Sequence, residues 1–156
     1  MKLAFGQDPM DEYSVPVSKK STKLSTIYKL KLRDRKDKPG RLLEVIWDAR
    51  KPVYEGFGNR YSYVVFFKKQ GSIAGNHYHK AKHELFFPLA GKFSIFLEDI
   101  KTKGKEEILM EASSREVIYI RPTVVHAVRA QTKDAVLLVM ATSPGVEADE
   151  FSWNLI

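Results

Sequence analysis

Short apolar runs separated by turn-forming residues recur from residue 26 to near the end of the chain. The run Tyr61–Phe67 is typical, because β-branched and aromatic residues in a segment of this length favour a strand over a helix. Charged or glycine-containing turns interrupt the runs, as at residues 34–40 and 101–105. Strands this short and this regularly spaced indicate an antiparallel sandwich or barrel. The pattern predicts strands at 42–47, 61–67, 84–89, 93–98, 107–111, 116–120, 126–130 and 135–142, and around 77–79.

The first 25 residues differ from the rest, being polar and containing Pro9 and Pro16 among scattered Ser, Thr and Lys. We therefore predict an N-terminal arm or tail over 1–25 and one barrel domain over 26–156, since 156 residues suit a single domain. The N-terminus lacks the apolar core of a secretory signal, and the most apolar run, Ala135–Ala141, is too short to cross a bilayer. These features predict a cytoplasmic protein without a membrane partner.

Composition narrows the chemistry that the chain can carry out. Cysteine is absent, so disulfides and thiolate catalysis are excluded, and any metal must be bound through nitrogen and oxygen. The net charge of +7 is compatible with solubility or with an anionic small-molecule substrate. The basic residues are dispersed and no nucleic-acid-binding motif accompanies them, so nucleic acid is not an expected partner.

Histidine and glutamate are spaced as ligands in the middle of the chain, where residues 71–91 read G-x5-H-x-H-x4-E-x6-G. Residues i and i+2 of a strand face the same side, so the two histidines should point at one place, with the glutamate at the start of the next strand. Imidazole and carboxylate ligands suit Zn, Mn, Ni, Co or Fe. His77, His79 and Glu84 are therefore candidate ligands to a divalent transition metal.

The spacing of residues 71–91 resembles the first motif of the cupin superfamily, and His126 after Pro122 resembles the histidine of the second motif. The resemblance implies that His126 is the fourth metal ligand, and a set of three imidazoles and one carboxylate leaves positions for water or substrate. Residues 75–80 and 119–126 are also similar to WxcM-like sugar-nucleotide 3,4-ketoisomerases. Residues 75–79 resemble the zinc-binding C-terminal cupin domain of capsular polysaccharide reductases, and residues 37–44 resemble relatives of dTDP-4-dehydrorhamnose 3,5-epimerase. These resemblances imply an all-β, single-domain RmlC-like jelly-roll barrel that forms homodimers and acts on a sugar nucleotide.

A sugar isomerase or epimerase needs a base that removes a proton next to a carbonyl. If the histidines bind a metal, the base must be another residue, and if they do not, His77 or His79 can act as the base. The candidates outside the ligand set are His83, Tyr63, Tyr119 and Lys80.

Other assignments stay open at the level of the sequence. Lys80, by resemblance, and Arg121, beside the expected pocket strand, are candidate substrate-binding residues. A His/His/Glu/His set is also the iron site that the cupin resemblance associates with dioxygenases. A cupin that binds a sugar or small acid without turnover is the third alternative, and we favour the isomerase or epimerase.

Overall fold

The computed structural model describes residues 16–34, 39–49, 54 and 57–156, and this part of the chain is built almost wholly of strands. Two single-turn 3-10 segments, Ala112–Ser114 and Glu147–Asp149, interrupt them. The strands are β1 (Ser18–Ser21), β2 (Thr26–Lys29), β3 (Arg33–Asp34), β4 (Leu42–Leu43), β5 (Tyr61–Phe67), β6 (Ile73–Tyr78), β7 (Glu84–Ala90), β8 (Lys92–Asp99), β9 (Lys105–Glu111), β10 (Glu116–Ile120), β11 (Val124–Ala130), β12 (Ala135–Ala141) and β13 (Phe151–Ser152).

Two antiparallel sheets face each other and enclose the main core. One has the order β1-β2-β10-β7-β12-β5 and the other β13-β6-β11-β8-β9, while β3 and β4 form a separate hairpin. Alternation along β7 turns Phe86 towards the opposite sheet, where it packs in one cluster with Ile95 and Leu97 of β8. Burying each such side chain contributes roughly 1.5–3 kcal/mol, so this interior layer stabilises the sandwich.

The other face of the six-stranded sheet carries a second core. Leu85 and Phe87 of β7 point to this face and pack with Tyr54 and Phe57, and Trp47 adds to the cluster from the preceding segment. The segment that precedes Trp47 is also tied to the sheet by an ion pair, in which the Nε of Arg115 donates to the carboxylate of Glu44 over 2.9 Å. The six-stranded sheet is therefore covered on both sides near its centre.

A β-bulge joins β6 to its neighbour β11. The pairing runs from His126 opposite His77 directly to Ala127 opposite Gly75, so Asn76 is the extra residue. Both Gly75 and Asn76 have positive φ, at 92° and 64°. A Cβ on Gly75 would lie 2.6 Å from the main-chain oxygen of His126, so only glycine allows the two strands to approach this closely.

The end of the chain lies along the outer edge of β6. Phe151 pairs with Tyr78 and Ser152 with His77, and the ring of Phe151 stacks on that of Tyr78 with centroids 5.1 Å apart. The side chain of Asn76 then accepts hydrogen bonds from the main-chain N–H groups of residues 155 and 156. Residues 147–156, which we call the C-terminal strap, are thus held along this outer edge of β6.

The all-β jelly-roll architecture predicted from the sequence is confirmed, and most strands lie within a residue or two of their expected positions. The strand expected over 42–47 is much shorter, because only Leu42–Leu43 pair with β3 while Ile46 and Trp47 pack on the outer face of the large sheet. Of the predicted arm, residues 1–15 lie outside the described residues, and β1 pairs with β2. Within the described residues no helix has the length and apolar character needed to cross a membrane.

The bulge generates a stability prediction in which two glycines are compared. Gly71 also has positive φ, 84°, but a Cβ there would meet nothing within 4 Å. We expect Gly71→Ala to cost about 1 kcal/mol, which is backbone strain alone, and Gly75→Ala about 2 kcal/mol or more, because it adds a clash with β11. At this chain length the melting temperatures should fall by about 3 °C and about 6 °C, measured by thermal unfolding. Equal losses for the two variants would contradict the close approach at Gly75.

Candidate functional site

Four ligand-type side chains converge at one end of the space between the two sheets. His77 is on β6 and His79 directly follows that strand, while Glu84 is the first residue of β7 and His126 lies on β11. Their ligand atoms all lie within 4.8 Å of one another. The cluster therefore combines one residue from the six-stranded sheet with three from the five-stranded sheet and its margin.

Glu84 lies at the centre of the cluster. Its Oε2 atom is 3.0 Å from Nε2 of His126 and 3.7 Å from Nε2 of His79, and its Oε1 atom is 3.7 Å from the ammonium of Lys82. Glu84, His79, His126 and Lys82 are all buried. One carboxylate is thus shared between an ammonium on one side and two imidazoles on the other.

The rings of His79 and His126 are oriented by main-chain carbonyls. Nδ1 of His79 lies 2.6 Å from the oxygen of Asp149, and Nδ1 of His126 lies 3.2 Å from the oxygen of Val124. A carbonyl only accepts hydrogen bonds, so Nδ1 carries a hydrogen in each ring. The Nε2 atoms of His79 and His126 therefore both face the same oxygen of Glu84.

Burial and neighbouring charges shift the pKa values of the side chains in the cluster. Burial lowers the pKa of His77 to about 4, with the charge of His126 adding to the effect, and burial also lowers the pKa of His79. For Glu84 burial alone would raise the pKa, but the contact with His126 and the charge of Lys82 outweigh it and lower the pKa to about 2. His77 and His79 are consequently neutral and Glu84 is ionised near pH 7.

The donor set fits a divalent transition metal. Within the described residues, Nε2 of His79 and Oε2 of Glu84 are buried and have no hydrogen-bond partner, although they face each other. Leaving such atoms unpaired in the interior costs free energy, and a cation between them would satisfy both.

A cavity of about 320 Å³ leads from the cluster towards solvent. Its lining includes His77 and Glu84 at the cluster and Tyr63 on β5, with Glu150 of the C-terminal strap at the mouth. His77 is half-buried, and its Nδ1 lies 3.5 Å from a carboxylate oxygen of Glu150. A smaller apolar space of about 50 Å³ continues inward, past Ala74 and Val139, between the sheets. His77 and Tyr63 therefore face the same cavity, beside the buried Glu84.

Asp149 fixes the turn between His79 and Glu84 from outside. Its carboxylate accepts hydrogen bonds from the main-chain N–H groups of Lys80 at 2.8 Å, Ala81 at 3.1 Å and Lys82 at 3.0 Å. Burial would raise the pKa of this carboxyl, but the hydrogen bonds lower it. One residue of the strap therefore orients His79 through its main chain and the following turn through its side chain.

The structure brings together five of the sequence-predicted site residues: His77, His79, Glu84, His126 and Tyr63. The other four lie elsewhere. His83 and Tyr119 stack on each other, with Nδ1 of His83 2.5 Å from the phenolic oxygen, on the outer face of the six-stranded sheet. Lys80 is exposed with its ammonium 4.2 Å from the ring centre of Phe151, and Arg121 is exposed at the end of β10.

Sequence reasoning missed Lys82, Asp149 and Glu150 as parts of the site. Lys82 lies in the turn between β6 and β7, so the two-residue strand period gave no signal for its inward orientation. Glu150 and Asp149 arrive through the pairing of β13 with β6, which joins residues far apart in the chain. A two-residue strand gives too short a pattern to predict that pairing.

Solved structures with this fold include enzymes acting on sugar nucleotides. The TDP-fucose-3,4-ketoisomerase WlaRA from Campylobacter jejuni is 23% identical, with a TM-score of 0.69 over 81% of this chain and 87% of that one. A point mutant of the 3,4-ketoisomerase QdtA from Thermoanaerobacterium thermosaccharolyticum, solved in complex with TDP-4-keto-6-deoxyglucose, is 21% identical, with a TM-score of 0.68 over 84% of this chain and 88% of that one. The dTDP-6-deoxy-D-glucose-3,5-epimerase RmlC from Legionella pneumophila is 17% identical, with a TM-score of 0.71 over 86% and 76%.

These similarities establish the RmlC-like cupin fold. No curated protein is similar enough to count as a match. The sequence itself matches the family described as FdtA: WxcM-like, C-terminal, over residues 23–151. That match covers the strands that carry all four cluster residues and extends into the C-terminal strap. The chain therefore belongs to the WxcM-like, C-terminal family of RmlC-like cupins.

Proposed function

We propose that this chain is a sugar-nucleotide isomerase or epimerase that moves a proton at a carbon next to a carbonyl. The observation that carries the proposal is the cavity in which a neutral imidazole, His77, and a phenol, Tyr63, face the same space above the buried Glu84. Family membership supports it, as does the likeness in fold to 3,4-ketoisomerases and a 3,5-epimerase. A cavity of about 320 Å³ is at the small end of ligand sites, so it would take the sugar while the nucleotide lies outside.

His77 is the base in this proposal. It lines the cavity, whereas His79 is buried with its free nitrogen turned to Glu84. Glu150 lies close enough to His77 to stabilise the imidazolium that forms when the ring takes a proton from carbon. The electron pair of the broken C–H bond moves towards the carbonyl and gives an enediol, which is reprotonated on the neighbouring carbon or on the opposite face.

Tyr63 is the proton donor in this proposal. Burial, followed by the charge of Glu84, raises the pKa of its phenol, so the hydroxyl stays protonated at neutral pH. It can therefore donate to the oxygen on which negative charge develops. The apolar residues deeper in the cavity, Val139 and Phe86 among them, limit the access of water to that oxygen.

We also infer that His77, His79, Glu84 and His126 can hold one divalent metal ion. When bound, such an ion would supply Lewis-acid polarisation of a carbonyl. A ring nitrogen that binds the ion cannot also accept the proton. If all four residues are ligands, the base must be a residue outside the ligand set, and if only His79, Glu84 and His126 are ligands, His77 stays free to take the proton. Homodimerisation and a cytoplasmic location stay predictions.

Proton exchange tests the proposed reaction directly. Incubated with TDP-4-keto-6-deoxyglucose in D₂O, the chain should incorporate deuterium at a carbon next to the carbonyl, detected by NMR. We expect His77→Asn and Tyr63→Phe each to slow the exchange by about 100-fold or more, because general acid and base groups typically contribute that much.

His83→Asn is the matched control for this experiment. This variant changes the histidine that is not part of the cluster and that lies against Tyr119 on the outer face of the six-stranded sheet. The exchange rate of His83→Asn should therefore match that of the unmodified chain. Full activity in His77→Asn, or no exchange in the unmodified chain with any 4-keto sugar nucleotide, would contradict the proposal.

Metal binding is predicted separately. Prepared without a histidine tag and stripped with a chelator, the chain should bind about one equivalent of Zn²⁺ in calorimetry, because Nε2 of His79 and Oε2 of Glu84 would gain a shared partner. His126→Ala should lose that binding and remain folded by circular dichroism. Equal binding by His126→Ala would place the metal elsewhere. Retention of iron with oxygen uptake would instead favour the dioxygenase alternative.

A further inference from the structure

Lys82 is a buried cation at the centre of the candidate site, and the proposed reaction assigns it no role. The residue is 6% exposed, and its ammonium lies 3.7 Å from Oε1 of Glu84, which is 2% exposed. It also lines the cavity that leads out to solvent. Charged side chains this deeply buried are retained when they are paired, so the two residues form one electrostatic unit.

We propose that Lys82 is the built-in counter-cation of Glu84 and sets how tightly the cluster binds a divalent metal ion. The charges support this assignment. The buried carboxylate of Glu84 contributes −1 and the buried ammonium of Lys82 contributes +1, so this pair carries no net charge before any metal enters. A divalent ion entering between Glu84 and the imidazoles gains the attraction of one carboxylate and meets the repulsion of one ammonium in a low-dielectric site.

Main-chain hydrogen bonds fix the turn from which the side chain of Lys82 extends. The main-chain N–H of Lys82 donates to the Oδ2 atom of Asp149, and the two preceding residues donate to the same carboxylate. The turn is therefore held by the C-terminal strap, and it sends the two lysines in opposite directions. Lys80 reaches outward over Phe151, while Lys82 reaches inward to Glu84.

The two oxygens of Glu84 have separate partners. Oε1 faces Lys82, and Oε2 faces the Nε2 atoms of His79 and His126. A metal ion that binds Oε2 would leave the contact with Lys82 intact, so both cations can occupy the site together. The ammonium should therefore weaken metal binding without abolishing it. Metal affinity is measured without substrate, so the outcome is independent of whether the chain isomerises a sugar nucleotide.

The test is the affinity of Lys82→Leu for Zn²⁺, measured by calorimetry on the full, metal-stripped chain. We expect it to bind Zn²⁺ at least about ten-fold more tightly than the unmodified chain, because one repulsive charge is removed from a buried site. Lys82→Arg retains the charge and Lys80→Leu removes a nearby exposed one, so both should stay within about two-fold of the unmodified chain. The double change Lys82→Leu with His126→Ala should lose the binding, which places the gain at the cluster.

Unchanged or weaker zinc binding in Lys82→Leu would overturn the proposal, as would an equal gain in Lys80→Leu. Removing one partner of a buried ion pair destabilises a fold, so thermal unfolding is measured alongside. A melting temperature that Zn²⁺ raises more in Lys82→Leu than in the unmodified chain supports the proposal. If Lys82→Leu is unfolded without metal, recovery of the fold on adding Zn²⁺ supports the proposal. Failure of Zn²⁺ to restore the fold counts against the proposal.

Discussion

The buried carboxylate of Glu84 is the constraint on which the rest of the site depends. Removing a carboxylate from water costs several kcal/mol unless cations or hydrogen-bond donors surround it, and Glu84 is almost completely enclosed. Lys82 meets one oxygen, and the nitrogens of His79 and His126 meet the other. The chain must bring these partners together from three separate strands or turns, so the stability of the barrel and the electrostatics of the site are coupled.

Two contacts between distant parts of the chain place these side chains around Glu84. At the bulge, Gly75 lets β6 approach β11 closely enough to set His77 opposite His126. On the other side of β6, Asp149 orients His79 and the turn that carries Lys82. The C-terminal strap is thus a structural part of the site, and its next residue, Glu150, also faces His77 at the mouth of the cavity.

The fold could be predicted because its strands have the two-residue period and the β-branched, aromatic composition that local physics favours, as in Tyr61–Phe67. His77, His79 and Glu84 could be proposed together because their spacing in one strand–turn–strand unit brings them close. His126 required the resemblance to cupins, since nothing local joins β11 to β6. The side chains of Lys82 and Lys80 point inward and outward because the turn that carries them is held by hydrogen bonds to Asp149, which is far away in sequence. The contact between His83 and Tyr119 depends on which face of the six-stranded sheet the two side chains share. Such tertiary contacts leave no periodic pattern to read.

The most direct test of this account is a crystal structure of the chain with a bound 4-keto sugar nucleotide. The account predicts the sugar ring in the cavity, with the carbon next to its carbonyl beside His77, the carbonyl oxygen within hydrogen-bond reach of Tyr63, and the nucleotide outside the mouth. A sugar bound away from His77, for example against His83 and Tyr119 on the outer face of the six-stranded sheet, would contradict it.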